Sequence, residues 1–164
     1  MWYDKFTFQQ SEKGLKEEGL AFLHNPLNEE ELIKLKIDKF YPEFVGLKIP
    51  KEIILQNEHL ELLYHSNGGL IVNGEREFGF FALSDIKDFY FGYGFMKWTP
   101  LFLPIAFNGG GVFYAYDYRN TQDICIIAVS SSNLDYDCTA FLGKSLKEIL
   151  SKTTNIEDKL YKIY

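Results

Sequence analysis

The chain has 164 residues, of which 46% are hydrophobic and 17% aromatic. This composition excludes a disordered chain and predicts one domain, residues 1–164, with a sizeable core. A net charge of −6 disfavours nonspecific nucleic-acid binding, which needs Lys and Arg to neutralise phosphates. No apolar run approaches the roughly 20 residues that span a bilayer, and the N-terminus lacks a signal-peptide pattern. We therefore expect a cytoplasmic protein that binds neither nucleic acid nor membrane.

The first 25 residues have a mixed pattern. Trp2, Phe6 and Phe8 partly alternate with polar residues, which favours either an edge strand or a docked N-terminal arm. After this segment, Asn28 can cap a helix over Glu29–Phe40, which Pro42 then ends.

A second helix is predicted from Pro50 to His65, because proline suits the first helical position. Its expected buried face is formed by Ile53, Ile54, Leu60, Leu63 and Tyr64. Asn67-Gly68-Gly69 follows, and Gly68 is predicted to be the left-handed residue that stops this helix.

A β-hairpin is predicted next, with Leu70–Val72 and Glu75–Phe81 as strands around an Asn73-Gly74 type I′ turn. Ser84 can then cap a short helix over Asp85–Phe91, which Gly92-Tyr93-Gly94 breaks.

The remaining elements are mainly strands. The predicted strands are Leu101–Phe107, Val112–Tyr118, the apolar Ile124–Val129 and a short piece at Thr139–Leu142. Asn108-Gly109-Gly110-Gly111 is interpreted as a turn between the first two strands, because no helix follows it as in a phosphate-binding loop. Ser145 opens a final helix, and one or two helical turns follow Asn155. The predicted fold class is α+β, with a predominantly antiparallel sheet of about five or six strands and helices packed beside it.

The order of these motifs resembles the SUKH superfamily, which contains the Smi/Knr cell-wall-assembly regulators of yeast and many bacterial proteins. The resemblance covers about residues 28–152 and is carried by Ile49-Pro50, Asn67-Gly68-Gly69, Ile105–Gly111, Asp117 and the helix within Gly143–Leu150. It implies a helix-and-sheet fold and, for bacterial members, an immunity protein that binds and blocks a cognate toxin. For the yeast branch it implies a regulatory scaffold in glucan synthesis.

The residues predict no catalytic, metal or cofactor site. His24, His59 and His65 are interpreted as exposed or helix-end side chains, because the six-residue spacing of the last two differs from a zinc pair. Asp135 and Asp137 lack the further ligands of a calcium loop. Cys125 and Cys138 have no metal or redox spacing and are expected to be reduced thiols.

Two stretches are candidate partner-binding surfaces. Asp135, Tyr136 and Asp137 combine charge with an aromatic ring and suit a basic protein partner. A second aromatic stretch includes Tyr93 and Trp98.

The tyrosines at positions 114, 116 and 118 leave two alternatives, a core face, which is favoured, or an exposed patch that includes Tyr118.

The leading hypothesis is a non-enzymatic immunity protein whose partner is a toxin domain with a basic surface. The alternatives are a regulatory scaffold in cell-wall synthesis and an uncharacterised small-molecule enzyme. The sequence leaves the oligomeric state open.

Overall fold

The computed structural model describes residues 1–24 and 52–163. The helix predicted at Glu29–Phe40 and the motif residue Pro50 lie outside these ranges. The strands are β1 (Thr7–Ser11), β2 (Gly69–Asn73), β3 (Arg76–Phe80), β4 (Phe102–Phe107), β5 (Val112–Asp117), β6 (Cys125–Ser130) and β7 (Thr139–Gly143). The α-helices are α1 (Ala21–His24), α2 (Asn57–His65), α3 (Leu83–Gly92), α4 (Phe95–Trp98) and α5 (Leu146–Ser151). Two 3₁₀ helices cover Glu17–Leu20 and Ile156–Lys162.

The described strands form one antiparallel meander, in which each strand pairs with the next in the order β1 to β7. The α+β class is therefore confirmed, with seven strands instead of five or six. The additional strand is β1, whose Thr7 pairs with Val72 of β2. An edge strand is thus the correct alternative for the N-terminal segment, and of the alternating residues Trp2, Phe6 and Phe8 only Phe8 lies within the strand.

Strand β5 is buried on both faces. Tyr114 and Tyr116 are 2% and 1% exposed on one face, and Tyr114 stacks on Phe78 with a centroid distance of 5.5 Å. Phe113 is fully buried on the other face. Its ring centroid lies 5.3 to 6.1 Å from three other phenylalanine rings, those of residues 81, 89 and 95. The tyrosines therefore pack in the core, except Tyr118, which is half-buried beyond the strand end.

The prediction of a helix over Pro50–His65 was wrong for residues 52–56, because α2 begins at Asn57. Upstream of it, Gln56 is extended at φ −66° and ψ 145°, and the Ile53 N–H donates to the Leu23 carbonyl at 2.8 Å. This tertiary hydrogen bond joins the segment before α2 to α1. The shift also changes the buried face, since Ile54 and Tyr64 are 57% and 49% exposed.

The role predicted for Gly68 as helix stop was also wrong. Helix α2 ends at His65, and Ser66 is already extended at φ −146°. Gly68 and Gly69 instead adopt φ +96° and +140° at the entrance to β2. A Cβ atom on Gly68 would lie 2.8 Å from the Ala82 nitrogen, and one on Gly69 would lie 2.4 Å from the Gln10 carbonyl oxygen. The cluster is therefore required by close backbone packing.

The Asn67 side chain, not Ser84, caps the next helix. Its Oδ1 accepts a hydrogen bond from the Leu83 N–H at 2.9 Å, and α3 begins at Leu83 with Ala82 as N-cap. Helix α3 ends at Gly92, one residue later than predicted, and the short α4 that follows Gly94 was not predicted.

The predicted hairpin turn, the turn at the second glycine cluster and the helix cap at Ser145 are all present, and only the hairpin turn is shifted. The hairpin loop consists of Gly74 and Glu75, one residue later than predicted, because Asn73 pairs with Arg76. The second glycine cluster is a strand-to-strand turn in which Asn108 Oδ1 accepts from the N–H groups of Gly110 and Val112. Ser145 caps α5 by accepting from the Glu148 N–H at 3.1 Å, as predicted.

A buried arginine fastens the C-terminal segment to the hairpin. Arg76 is 1% exposed, and its Nε and Nη1 donate to the carbonyls of Thr154 and Ile149 at 2.9 Å each. Asn73 adds a hydrogen bond to the Leu150 carbonyl at 2.7 Å. These side chains satisfy carbonyls at and beyond the end of α5, so the last helix is held against β2 and β3.

The close approach at Gly69 gives a stability prediction. Gly69→Ala should lower the free energy of unfolding by about 2 kcal/mol or more, because the added Cβ is strained by positive φ and collides with β1. Gly92→Ala is the matched control, since a Cβ there meets nothing within 4 Å. Urea unfolding of both variants measures the difference, and equal stability would contradict the packing argument.

Candidate functional site

An apolar cleft lies beside the N-terminal end of β4. It has a volume of about 240 Å³. Its walls come from four parts of the chain: residues 52–54 before α2, Lys87, Tyr90 and Phe91 of α3, residues 100–103, and Tyr118 and Thr121 after β5. Ile54 and Leu101 are 57% and 47% exposed, whereas Phe102 at the floor is fully buried. The cleft is therefore an open apolar depression with two large side chains in contact with water.

Two tyrosine hydroxyls, from buried Tyr90 and half-buried Tyr118, hold the walls of the cleft together. The Tyr90 hydroxyl donates to the Pro100 carbonyl at 3.0 Å and ties α3 to the chain before β4. The Tyr118 hydroxyl donates to the Ile54 carbonyl and ties the end of β5 to the segment before α2. Burial raises the pKa of both side chains, that of Tyr118 to about 12. Both hydroxyls therefore stay protonated donors near neutral pH.

The loop after β6 adjoins the same cleft. The Tyr136 hydroxyl accepts a hydrogen bond from the Leu101 N–H at 3.0 Å, and its ring packs edge-on against Phe102 with a centroid distance of 4.8 Å. The Asp135 carboxylate accepts from the Asp137 N–H at 2.8 Å, which fixes the loop locally. Both aspartates are exposed. The loop thus places two carboxylates next to an apolar depression.

The ion pair between Asp117 and Arg119 contacts the loop after β6. Asp117 is 7% exposed, and Arg119 donates to its carboxylate through Nε at 3.0 Å and Nη2 at 2.7 Å. The Arg119 guanidinium also lies 5.1 Å from the centroid of the Tyr136 ring and donates to the Tyr136 carbonyl. The fork-like geometry of arginine therefore orients the aromatic residue that touches the cleft.

The structure brings some of the predicted partner-binding residues together. Tyr118 lines the cleft, Tyr136 bonds to its rim, and Asp135 and Asp137 flank Tyr136. Trp98 is 57% exposed at the end of α4, two residues before the cleft-lining Pro100.

Tyr93 lies elsewhere. It is 45% exposed, does not line the cleft, and packs its ring against Phe113 at 4.8 Å.

Sequence reasoning missed Ile54 and Leu101. Ile54 was predicted on a buried helix face and Leu101 inside a strand, whereas β4 begins at Phe102. The available signal was the glutamine-asparagine-glutamate run at positions 56–58, whose polar side chains interrupt the apolar pattern of the predicted helix.

The prediction that all three histidines are exposed or at helix ends was wrong for His59. This residue is 1% exposed in α2, and its ring lies 5.7 Å from that of Tyr116. Neither imidazole nitrogen, nor the Tyr116 hydroxyl, has a hydrogen-bond partner among the described residues. Burial lowers the pKa of His59 to about 3, so the ring is neutral in the folded protein at physiological pH. His24 and His65 are exposed.

The described residues give little support for catalysis at these positions. Within residues 1–24 and 52–163, no three His, Cys, Asp or Glu side chains are grouped to hold a metal ion. Cys125 and Cys138 are free thiols, and burial raises the pKa of Cys125, which makes it a poor nucleophile. The cleft hydroxyls are engaged with backbone carbonyls.

Comparison with known proteins adds one finding. Residues 43–152 match the sequence model of the SMI1 / KNR4 family (SUKH-1). No curated protein matches the chain. In the part of the chain that the structure describes, no helix is long and apolar enough to cross a bilayer.

Buried His59 predicts a loss of stability in acid. The pKa of His59 is about 3 in the folded protein and about 6.5 in the unfolded chain. Between these two pH values the unfolded chain therefore binds more protons than the folded protein. The free energy of unfolding should have its full value above pH 6.5 and should fall by about 1.4 kcal/mol for each pH unit below it. His59→Leu should flatten this slope in urea unfolding measured from pH 7 to pH 4, whereas exposed His24→Gln should preserve it. An unchanged slope in His59→Leu would contradict the assignment.

Proposed function

Because this chain belongs to the SMI1 / KNR4 family (SUKH-1), we propose that it is a non-catalytic protein-binding module of the immunity type. Its partner is a toxin domain, which docks on the apolar cleft and on the loop that carries Asp135 and Asp137. Binding at this surface blocks the toxin sterically.

The observation that carries this proposal is the pair of exposed apolar side chains at the cleft. Ile54 and Leu101 both line a depression of about 240 Å³, to which fully buried Phe102 also contributes. Such a depression accepts one large apolar side chain of a partner, which leaves water as it enters. Aromatic and aliphatic anchors in pockets of this kind dominate the energy of protein interfaces.

The charges beside the cleft favour a basic partner. Asp135 and Asp137 are exposed, and the chain carries a net charge of −6. Opposite charge on the partner would speed association and select the docking orientation more than it would add affinity. Trp98, exposed near the cleft, supplies a further aromatic contact.

The interface is largely preformed. Tyr90, Tyr118 and Tyr136 each bridge two segments of the cleft through a hydrogen bond to the backbone. A surface fixed in this way loses less conformational entropy when a partner binds, so a small cleft can support tight association.

Leu101→Asp tests this surface directly. The experiment coexpresses the full chain with the toxin domain encoded beside its gene, and measures cell survival and the affinity of the purified pair. We expect wild type to protect cells, and Leu101→Asp to weaken binding by at least about thirtyfold, as for loss of an interface anchor.

Phe141→Asp is the matched control, since Phe141 is an equally exposed apolar residue on β7 at 52%. It should change affinity by less than about threefold, within the range of peripheral substitutions. Continued killing in the presence of folded wild-type protein would overturn the toxin assignment. Equal affinity of wild type and Leu101→Asp would instead remove the cleft from the interface.

A further inference from the structure

A second groove lies between the two glycine clusters and has no part in the function proposed above. It has a volume of about 550 Å³ and is lined by Gly69, Gly79 and Gly109, together with Asn108 and Glu157. It shares no described lining residue with the apolar cleft. We call it the glycine groove.

The groove exists because the sheet opens between β3 and β4. Of the described residues, Phe80 and Ala106 form the single β3–β4 pair, and the Phe81 N–H donates to the Ile105 carbonyl beside it. Beyond this point Glu77 and Asn108 line opposite sides of the groove. Gly79 leaves part of the floor without a side chain, so an approaching polypeptide can reach the backbone of the sheet there, whereas the side-chain position of Gly69 is filled by the Gln10 carbonyl of β1.

Backbone hydrogen-bonding groups face this groove. The two-residue hairpin is closed by the Asn73–Arg76 pair, and residues that bond to β2 alternate with residues that do not. Arg76 and Phe78 therefore bond to β2, while Glu77 turns its N–H and C=O to the opposite edge. That edge borders the groove between the Glu75 N–H, which donates to the Thr153 carbonyl, and the Phe81 N–H, which donates to the Ile105 carbonyl, so the backbone of a bound segment can pair with Glu77.

The charge of the groove is uniformly negative. Glu75, Glu77 and Glu157 are exposed around it, and its described lining residues include no Lys or Arg. Glu157 is oriented by a hydrogen bond from Asn108 Nδ2 at 2.7 Å. The carboxylates therefore come from both sides of the gap, one side being the β3 hairpin and the other the C-terminal 3₁₀ helix.

We propose that the glycine groove binds an extended basic segment of a polypeptide. The segment adds a short strand beside Glu77, and its Lys or Arg side chains face the three carboxylates. The two asparagine-glycine motifs thereby lie at the ends of one binding surface, although 40 residues separate them in the sequence.

The test is a titration of the full ¹⁵N-labelled chain with a capped ten-residue peptide of alternating lysine and valine. We expect the amide resonances of Gly69, Gly79 and Gly109 to shift together, and a glutamate-valine peptide to leave them unchanged. Glu75→Gln combined with Glu77→Gln should weaken binding about tenfold at low salt.

Asp135→Asn combined with Asp137→Asn is the matched control, because it removes the same charge elsewhere and should change affinity less than about twofold. Gly79→Val should block the groove floor, and Leu101→Asp should leave peptide binding intact, which separates this proposal from that for the cleft. Equal weakening by both double variants, or shifts at the cleft instead of the glycines, would overturn it. If Gly79→Val fails to fold, the two double variants still decide the outcome.

Discussion

Burial of β5 on both faces is the constraint on which the rest of the structure depends. All six residues from Val112 to Asp117 are buried, so the sheet must be covered on one side around Tyr114 and on the other around Phe113. The helices needed for this cover occupy the centre of both faces. The apolar cleft and the glycine groove lie where this cover ends, at the start of β4 and between β3 and the second glycine turn.

The elements that the sequence predicts well are those fixed by local chemistry. The turn at Asn108 and the cap at Ser145 are formed by side-chain hydrogen bonds to amides two to four residues away, so residue type and spacing identify them. The strands of the meander were likewise predictable within about two residues, a usual boundary error for periodic patterns. The N-terminal strand was ambiguous, because its pairing with β2 is a contact between distant segments.

The errors arise where a distant contact overrides a local preference. Residues 53–56 are not helical because the Ile53 amide bonds to Leu23, and this partner could not be read from the proline or the apolar pattern. Gly68 follows a helix, but its conformation is required by the backbone of Ala82. The candidate site shows the same difference between features set by local sequence and features set by distant contacts. Tyr118 and Tyr136 were identified from composition, whereas the exposure of Ile54 and Leu101 is a consequence of tertiary structure.

Hydrogen exchange of the full chain, measured with and without its protein partner, most directly tests whether this chain of the SMI1 / KNR4 family binds a protein at the edges of its helical cover. Binding there predicts slower exchange for backbone amides in residues 52–56 and 99–102, with little change in the already protected β5. Unchanged exchange in both segments, with protection confined to another surface such as β7, would contradict it.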